Sequence, residues 1–123
     1  MSTRLLLVDD EAAIRFAVAD YFEQNGFHVD AAADRESAQR LLGVSDYDVA
    51  IVDLRLTGAE CREGLNLVRH IRANATRTPV VLLTGSDSAE LLAAAEDCGV
   101  AAVLFKSTSL ARVGAVVAGL LRR

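Results

Sequence analysis

The sequence has no excess of basic residues, no long apolar run near its start and only two cysteines. These features argue against a nucleic-acid-binding protein, a membrane or exported protein, and a protein held together by disulfides or a cysteine-bound metal. Its 13 basic residues are outnumbered by 17 acidic ones, and the net charge of −4 leaves no basic stripe for binding a nucleic-acid backbone. The apolar run before the first acidic group, Leu5–Val8, is too short for a signal peptide or a membrane span. Cys61 and Cys98 have neither CxxC nor metal-ligand spacing, so we expect reduced thiols. A cytoplasmic protein that binds neither nucleic acid nor membrane through this segment is therefore expected.

Short apolar runs alternate with longer amphipathic stretches along the chain. This alternation predicts repeated strand–helix units and a parallel sheet. The five predicted strands are Arg4–Val8, Phe27–Ala31, Val49–Leu54, Pro79–Thr84 and Ala101–Phe105. The third and fourth have nearly continuous apolar runs, which are typical of central strands that are buried on both faces. The length of 123 residues suits one domain over residues 1–123.

Helix boundaries and buried faces are predicted from turn residues and helical spacing. The first helix is predicted from Glu11 to Gln24, with Asn25–Gly26 as its left-handed C-cap. Its apolar face is Ile14, Ala17, Val18, Tyr21 and Phe22. Gly43 and Gly99 are predicted to end the second and fourth helices, with N-caps at Asp34 and Ser86. The last helix is predicted to face the sheet with Leu110, Val113, Val117, Leu120 and Leu121.

Ionic and hydroxyl side chains follow four of the predicted strands. Asp9 and Asp10 follow the first strand, Asp53 lies in the third near its end, Thr84 ends the fourth and Lys106 follows the fifth. Five strand–helix units commonly adopt the doubly wound order 2-1-3-4-5, and ligands bind at the carboxyl ends of the strands where that order reverses. Each residue alone has an ordinary role, such as a helix cap or a solvated charge. Together they predict a site at one edge of the sheet.

Lys106 is the most informative of these residues because it is the only lysine among the 13 basic residues. Elsewhere the sequence uses arginine for its positive charges. A compact ammonium on a flexible stem can approach a phosphate as a point charge, where a planar guanidinium fits less well. The exception indicates a requirement of the site, although a solvated lysine at this position remains an alternative.

These residues resemble the response-regulator receiver domains of two-component signalling, and the resemblance extends over the whole chain. The matching motifs, in order, are "LLLVDDE", "VAIVDLRL", "VVLLTG" and "VLFK". Each motif is short, but their order and spacing together are specific. The resemblance implies a doubly wound (βα)5 domain with helices on both faces of the sheet. It also implies that Asp53 is the phospho-acceptor, Thr84 the switch hydroxyl and Lys106 the catalytic cation.

The resemblance also gives the acidic residues a role as a magnesium site. Asp10 and Asp53 would bind the ion directly, Asp9 would bind it through water, and the carbonyl of Arg55 would complete the protein ligands. Carboxylate oxygens, a carbonyl and water suit magnesium, which keeps several waters and favours sites shared with phosphate.

The activity that the resemblance implies is phosphoryl transfer from a partner's phosphohistidine to Asp53. The partner would be a sensor histidine kinase or a histidine phosphotransfer protein. The domain would catalyse only its own phosphorylation and dephosphorylation, so it is not expected to be an enzyme. Its output would be a changed surface on the fourth helix, fifth strand and fifth helix, where a second copy or an output domain would bind.

Three positions depart from the family pattern. Leu56–Thr57 stands where a Met-Pro pair is usual, and Gly64 comes late, so the loop Thr57–Glu63 is expected to be longer than usual. Ser107 stands where proline usually follows the lysine, so we expect no cis peptide there. Val103 stands where an aromatic switch residue is common, so the usual ring movement is not available.

Three other functions are compatible with parts of the pattern. The main alternative is a receiver-like interaction domain that signals without phosphate. A magnesium-dependent phosphatase with an aspartate nucleophile would favour Asp-x-Asp, but here Asp9 and Asp10 are adjacent and Glu11 takes the third position. A flavin mononucleotide binder needs a phosphate-binding loop after the first strand, and the acidic segment "VDDEAA" would repel that phosphate.

Overall fold

The computed structural model describes residues 3–54, 63–75, 77–85 and 88–122. Its strands are β1 (Thr3–Val8), β2 (Phe27–Ala32), β3 (Val49–Val52), β4 (Val80–Thr84) and β5 (Ala102–Phe105). Its helices are α1 (Ala12–Gln24), α2 (Arg35–Val44), α3 (Glu63–Asn74), α4 (Ala89–Asp97) and α5 (Leu110–Leu121). Within these ranges, no helix has the length and apolar character to cross a bilayer.

All neighbouring strands pair in parallel, in the order β2-β1-β3-β4-β5. The predicted doubly wound α/β fold is therefore confirmed, and β1 and β3 are neighbours at the point where the strand order reverses. Every residue of β3 and β4 is buried, as expected for central strands with both faces covered.

Successive residues of each central strand point to opposite faces of the sheet, and this alternation builds two core layers. One layer lies between the sheet and helices α1 and α5. It includes Leu5, Leu7, Ile51, Val81 and Leu83 with Val18, Phe22, Val113 and Val117. The other layer lies between the sheet and helices α2, α3 and α4. It includes Leu6, Val8, Val52 and Leu82 with Ala38, Leu67, Val68, Ile71 and Ala95.

The predicted C-terminal ends of α1 and α4 are confirmed. Gly26 and Gly99 have φ angles of 90° and 83°, the left-handed conformation that glycine adopts without steric cost. Asp34 caps α2 as predicted, since its side chain accepts a hydrogen bond from the Ser37 amide at 2.7 Å. The predicted inner face of α5 is also confirmed, with Val113 and Val117 fully buried.

Three local predictions are wrong. Helix α2 continues through Gly43 to Val44 because the two leucines that precede the glycine pack against the core and hold this turn in place. Helix α4 begins later than predicted, so its N-cap is Ser88 and not Ser86. In α1, Ala17 is exposed because the buried stripe runs along Val18 and Phe22, one turn apart.

Candidate functional site

Backbone hydrogen bonds of the sheet extend to the first residues after three strands. The Asp9 amide donates to the carbonyl of Ala32 at 3.1 Å, and the Asp53 amide donates to the carbonyl of Val8 at 3.0 Å. The Lys106 amide likewise donates to the carbonyl of Thr84 at 3.0 Å. The rigid sheet therefore positions Asp9, Asp53 and Lys106 at its carboxyl edge, which is where the sequence predicts the site.

The Lys106 side chain reaches across this edge to three carboxylates. Its Nζ lies 2.6 Å from Glu11 Oε1, 2.8 Å from Asp53 Oδ2 and 3.1 Å from Asp9 Oδ2. Asp9 and Asp53 are 2% and 3% exposed, whereas the Glu11 side chain is 60% exposed. One ammonium thus balances two buried carboxylates and a third carboxylate at the mouth of the crevice.

A tight turn after β1 fixes the position of Asp9. Asp9 Oδ1 accepts a hydrogen bond from the Glu11 amide at 2.8 Å, and the carbonyl of Asp9 accepts one from Arg15 Nη1 at 2.8 Å. The side chain and the backbone of Asp9 are therefore both tied to the first turns of α1, and a carboxylate held in this way loses little conformational entropy on binding a ligand.

The pKa values of Asp9 and Lys106 are both raised. A raised pKa disfavours the charged form of the aspartate and favours the charged form of the lysine. Burial raises the pKa of Asp9, the Asp53 charge adds to this effect, and hydrogen bonds from the Glu11 amide and Lys106 oppose it. Burial by itself lowers the pKa of Lys106, but hydrogen bonds to Asp53, Glu11 and Asp9 outweigh it and raise that pKa above its usual value. Lys106 is therefore a cation throughout the neutral pH range.

The carboxylates are close enough to share a cation. Asp9, Asp10, Glu11 and Asp53 each offer an oxygen, and these oxygens lie within 4.8 Å of one another. Four negative charges exceed the single charge of the lysine, and hard oxygen donors on a partly open edge suit a divalent ion such as magnesium. The residues present therefore fit the predicted ion.

The two remaining predicted site residues are Thr84 and Arg55. Thr84 is fully buried at the end of β4, between the strands that carry Asp53 and Lys106. Arg55, whose carbonyl is the remaining predicted ligand, lies outside the described residues, as does most of the loop Thr57–Glu63. Their roles stay predictions.

Glu11 was not among the predicted site residues. Its proximity to Lys106 depends on a contact between residues 95 positions apart. The signal in the sequence was only its place directly after the two aspartates.

The structure also bears on the two departures from the family pattern near the lysine, at Ser107 and Val103. Among the described residues no peptide bond is cis, so the bond between Lys106 and Ser107 is trans as expected. Val103 is partly buried, pairs with Leu82 in the sheet register and packs against the core layer that includes α4.

Comparison with known proteins places the chain in a family. The model of the response regulator receiver domain matches residues 5–118. The two-component response regulator PhoP of Pseudomonas aeruginosa is 38% identical over 100 residues, covering 76% of this chain and 42% of that protein. The response regulator MprA of Mycolicibacterium vanbaalenii is 30% identical over 123 residues, covering 100% of this chain and 52% of that protein. The chain thus spans about half or less of the length of these relatives.

Solved structures agree with this assignment. A CheY-like receiver domain protein from Methanospirillum hungatei superimposes with a TM-score of 0.93 at 21% identity, covering 99% of this chain and 95% of that one, which shows the shared fold. The receiver domain of a Francisella response regulator has a TM-score of 0.86 at 27% identity, covering 99% of this chain and 98% of that one. The chain therefore belongs to the response-regulator receiver domains of two-component systems.

Proposed function

We propose that this receiver domain accepts a phosphoryl group on Asp53 from the phosphohistidine of a sensor histidine kinase or a histidine phosphotransfer protein. The observation that carries the proposal is the position of Asp53 at the centre of the carboxyl edge. Its Oδ2 lies 2.8 Å from the Lys106 ammonium, and its carboxylate lies beside those of Asp9 and Asp10. A carboxylate with a nearby cation and an adjacent cluster of acids suits phosphoryl transfer to aspartate better than it suits a structural ion pair.

The chemical step requires an ionised nucleophile and a way to balance the incoming charge. An oxygen of Asp53 forms a bond to phosphorus while the phosphorus–nitrogen bond to the donor imidazole breaks. The electron pair of the broken bond stays on the imidazole nitrogen, which takes up one proton from the buffered solvent. The product is an acyl phosphate on Asp53 and a neutral histidine on the partner.

Asp10, Asp53, Asp9 through a water molecule, and the Arg55 carbonyl would hold a magnesium ion, which when bound offsets the charge of the carboxylates and the transferring group. Lys106 provides the second positive charge and binds a phosphoryl oxygen. Asp9 and Asp53 are almost fully buried, so the charges of these residues act in a medium where electrostatic attraction is stronger than in bulk water.

The output of the reaction is a conformational change. The Thr84 hydroxyl would donate a hydrogen bond to a phosphoryl oxygen, and this movement would shift the connection from β4 to α4. The surface formed by α4, β5 and α5 would then change its affinity for a second copy of the chain or for an output domain. The domain in this account catalyses only its own phosphorylation and dephosphorylation.

The experiment is labelling with acetyl phosphate and magnesium, followed by intact-protein mass spectrometry. The wild-type protein should gain one base-labile phosphoryl group, and Asp53→Asn should gain none. Asp46→Asn is the matched control because Asp46 is exposed just before β3, at the opposite end of the sheet. It should label like the wild type. An unlabelled wild type would favour the phosphorylation-independent interaction domain, and a labelled Asp53→Asn variant would move the acceptor to another residue.

A further inference from the structure

We propose that Glu11 is a positioning residue that holds Lys106 in the unphosphorylated protein and releases it to the phosphoryl group. This inference rests on the proposed function of Asp53, and it concerns how the catalytic cation changes partners. The contact between Lys106 Nζ and Glu11 Oε1, at 2.6 Å, is the shortest of the three that the ammonium makes with carboxylates.

The Glu11 side chain does not cap the helix that begins after it. Glu11 is the N-cap residue of α1, but its side chain makes no capping hydrogen bond to that helix. It accepts a hydrogen bond from Lys106 instead. The backbone of Glu11 is fixed on both sides, because its amide donates to Asp9 Oδ1 and its carbonyl accepts from the Arg15 amide at 3.0 Å. The carboxylate is therefore presented to Lys106 from a rigid turn.

The ammonium has no spare proton for a new partner. A lysine ammonium has three N–H donors, and here Glu11, Asp53 and Asp9 each accept a hydrogen bond from Lys106. A phosphoryl oxygen can therefore bind Lys106 only if one of these contacts opens or is shared.

Burial decides which contact opens. Asp9 is 2% exposed, and bulk water hydrates a buried carboxylate poorly when its cation leaves, so breaking that contact carries a larger penalty than breaking an exposed one. Glu11 is 60% exposed, so water replaces the lysine at little cost. The phosphoryl group on Asp53 also adds negative charge at the mouth of the crevice, which repels Glu11. Lys106 therefore exchanges Glu11 for the phosphoryl oxygen and keeps its buried partner.

Removing the carboxylate should make Lys106 available before the phosphoryl group arrives. An exposed ion pair of this kind is weak, so we expect Glu11→Gln to raise the rate of labelling by acetyl phosphate by about 2- to 5-fold. The affinity for magnesium is measured separately, without phosphodonor, and the labelling rates are compared at saturating magnesium, because Glu11 is one of the four carboxylates whose oxygens could share a cation.

The decisive measurement uses the fact that Lys106 is the only lysine. Protein labelled with 13C-lysine gives one set of lysine side-chain NMR signals, which reports on the surroundings of this ammonium without an assignment problem. The full chain and its Glu11→Gln variant are compared first with magnesium alone and then with magnesium and beryllofluoride, a mimic of the phosphoryl group. Glu23→Gln is the matched control, because Glu23 is exposed near the other end of α1, about 18 Å along the helix.

The wild-type and Glu11→Gln lysine signals should differ with magnesium alone, and more than half of that difference should disappear when beryllofluoride binds. Glu23→Gln should match wild type in both states. If the wild-type and Glu11→Gln lysine signals are equal before beryllofluoride is added, the contact between Glu11 and Lys106 is absent. If their difference is undiminished after beryllofluoride binds, Glu11 does not release Lys106. If beryllofluoride shifts the lysine signal of neither protein, the proposed function itself fails, and the release fails with it. A clear wild-type shift with an undiminished Glu11→Gln difference would overturn this inference alone.

Discussion

The Lys106 ammonium lies 2.8 Å from Oδ2 of Asp53, although the two residues are 53 positions apart and follow strands that are not neighbours. Strand β4 lies between β3 and β5, so the lysine side chain extends over the end of β4, where Thr84 is buried. Asp53, Thr84 and Lys106 therefore lie at the ends of three adjacent strands on one edge of the sheet.

Replacing Lys106 by methionine should destabilise the metal-free protein. The change leaves the buried carboxylates of Asp9 and Asp53 without their cation, which we expect to lower the free energy of unfolding by about 2 kcal/mol. Urea denaturation at neutral pH with a chelator present measures this loss, and added magnesium should recover part of it. Arg69→Met removes an exposed cation of α3 and is the matched control. Equal stability of Lys106→Met and wild type would show that the buried acids do not need the lysine.

Replacing Gly64 by alanine should disturb the site through the backbone. The Gly64 amide donates to the carbonyl of Leu54 at 3.2 Å, and a Cβ here would clash with the carbonyl oxygens of Asp53 and Leu54. We expect the free energy of unfolding to fall by about 1–3 kcal/mol. Labelling of Asp53 by acetyl phosphate should also slow, since the clash involves the backbone carbonyl of Asp53, the proposed acceptor.

Gly43→Ala is the matched control for this substitution. Gly43 lies within α2 and a Cβ there meets no atom within 4 Å, so alanine should raise the free energy of unfolding by up to about 1 kcal/mol. Chemical denaturation of both variants, with the labelling assay beside it, measures the contrast. A Gly64→Ala variant as stable and as active as wild type would show that α3 can move away from Asp53 without consequence.

Tyr47 should make the stability of the protein depend on pH in alkaline solution. Its hydroxyl donates to Asp30 Oδ2 at 2.7 Å, and burial together with this hydrogen bond raises the pKa of Tyr47 to about 12. The pKa of tyrosine in an unfolded chain is about 10. A raised pKa means that the stabilising contribution is complete below pH 10 and is lost as the pH rises towards 12.

Tyr47→Phe should therefore lower the free energy of unfolding by about 1–2 kcal/mol at neutral pH. It should also lose less stability than wild type between pH 10 and about 12. Thermal or urea unfolding across this range measures both effects. If Tyr47→Phe follows the same alkaline curve as wild type, the hydrogen bond to Asp30 does not control the stability there.

The response to phosphorylation should travel through α4 and not through a ring movement. Val103 has one stiff torsion and too little volume to fill or empty a ring-sized space, and it already packs against the core layer beside α4. We expect amide hydrogen exchange with and without beryllofluoride to change mainly between Thr84 and Cys98. Thr84→Ala should abolish the change. Changes confined to α1 and α5, or an unaltered response of Thr84→Ala, would contradict this route.

Much of the fold was predictable because the relevant signals are local. Continuous apolar runs marked the buried strands, and Gly26 and Gly99 marked two helix ends, because these patterns depend on the residues within one or two turns. The errors came where tertiary packing outweighed local preference. Gly43 marks a helix end by itself, yet α2 continues past it because its preceding turn is anchored in the core.

The sequence by itself determined which chemical groups would be available at the carboxyl edge. The alternation of elements predicts a parallel sheet, five strand–helix units commonly take the order 2-1-3-4-5, and the polar residues that end parallel strands then lie at the same edge. Asp9, Asp53 and Lys106 were predictable for this reason. Only the tertiary structure decided their partners, because the length, direction and burial of a side chain depend on neighbours that are distant in the chain. The contact of Glu11 with Lys106 and that of Tyr47 with Asp30 are of this kind, since each joins separate elements across the ends of the sheet.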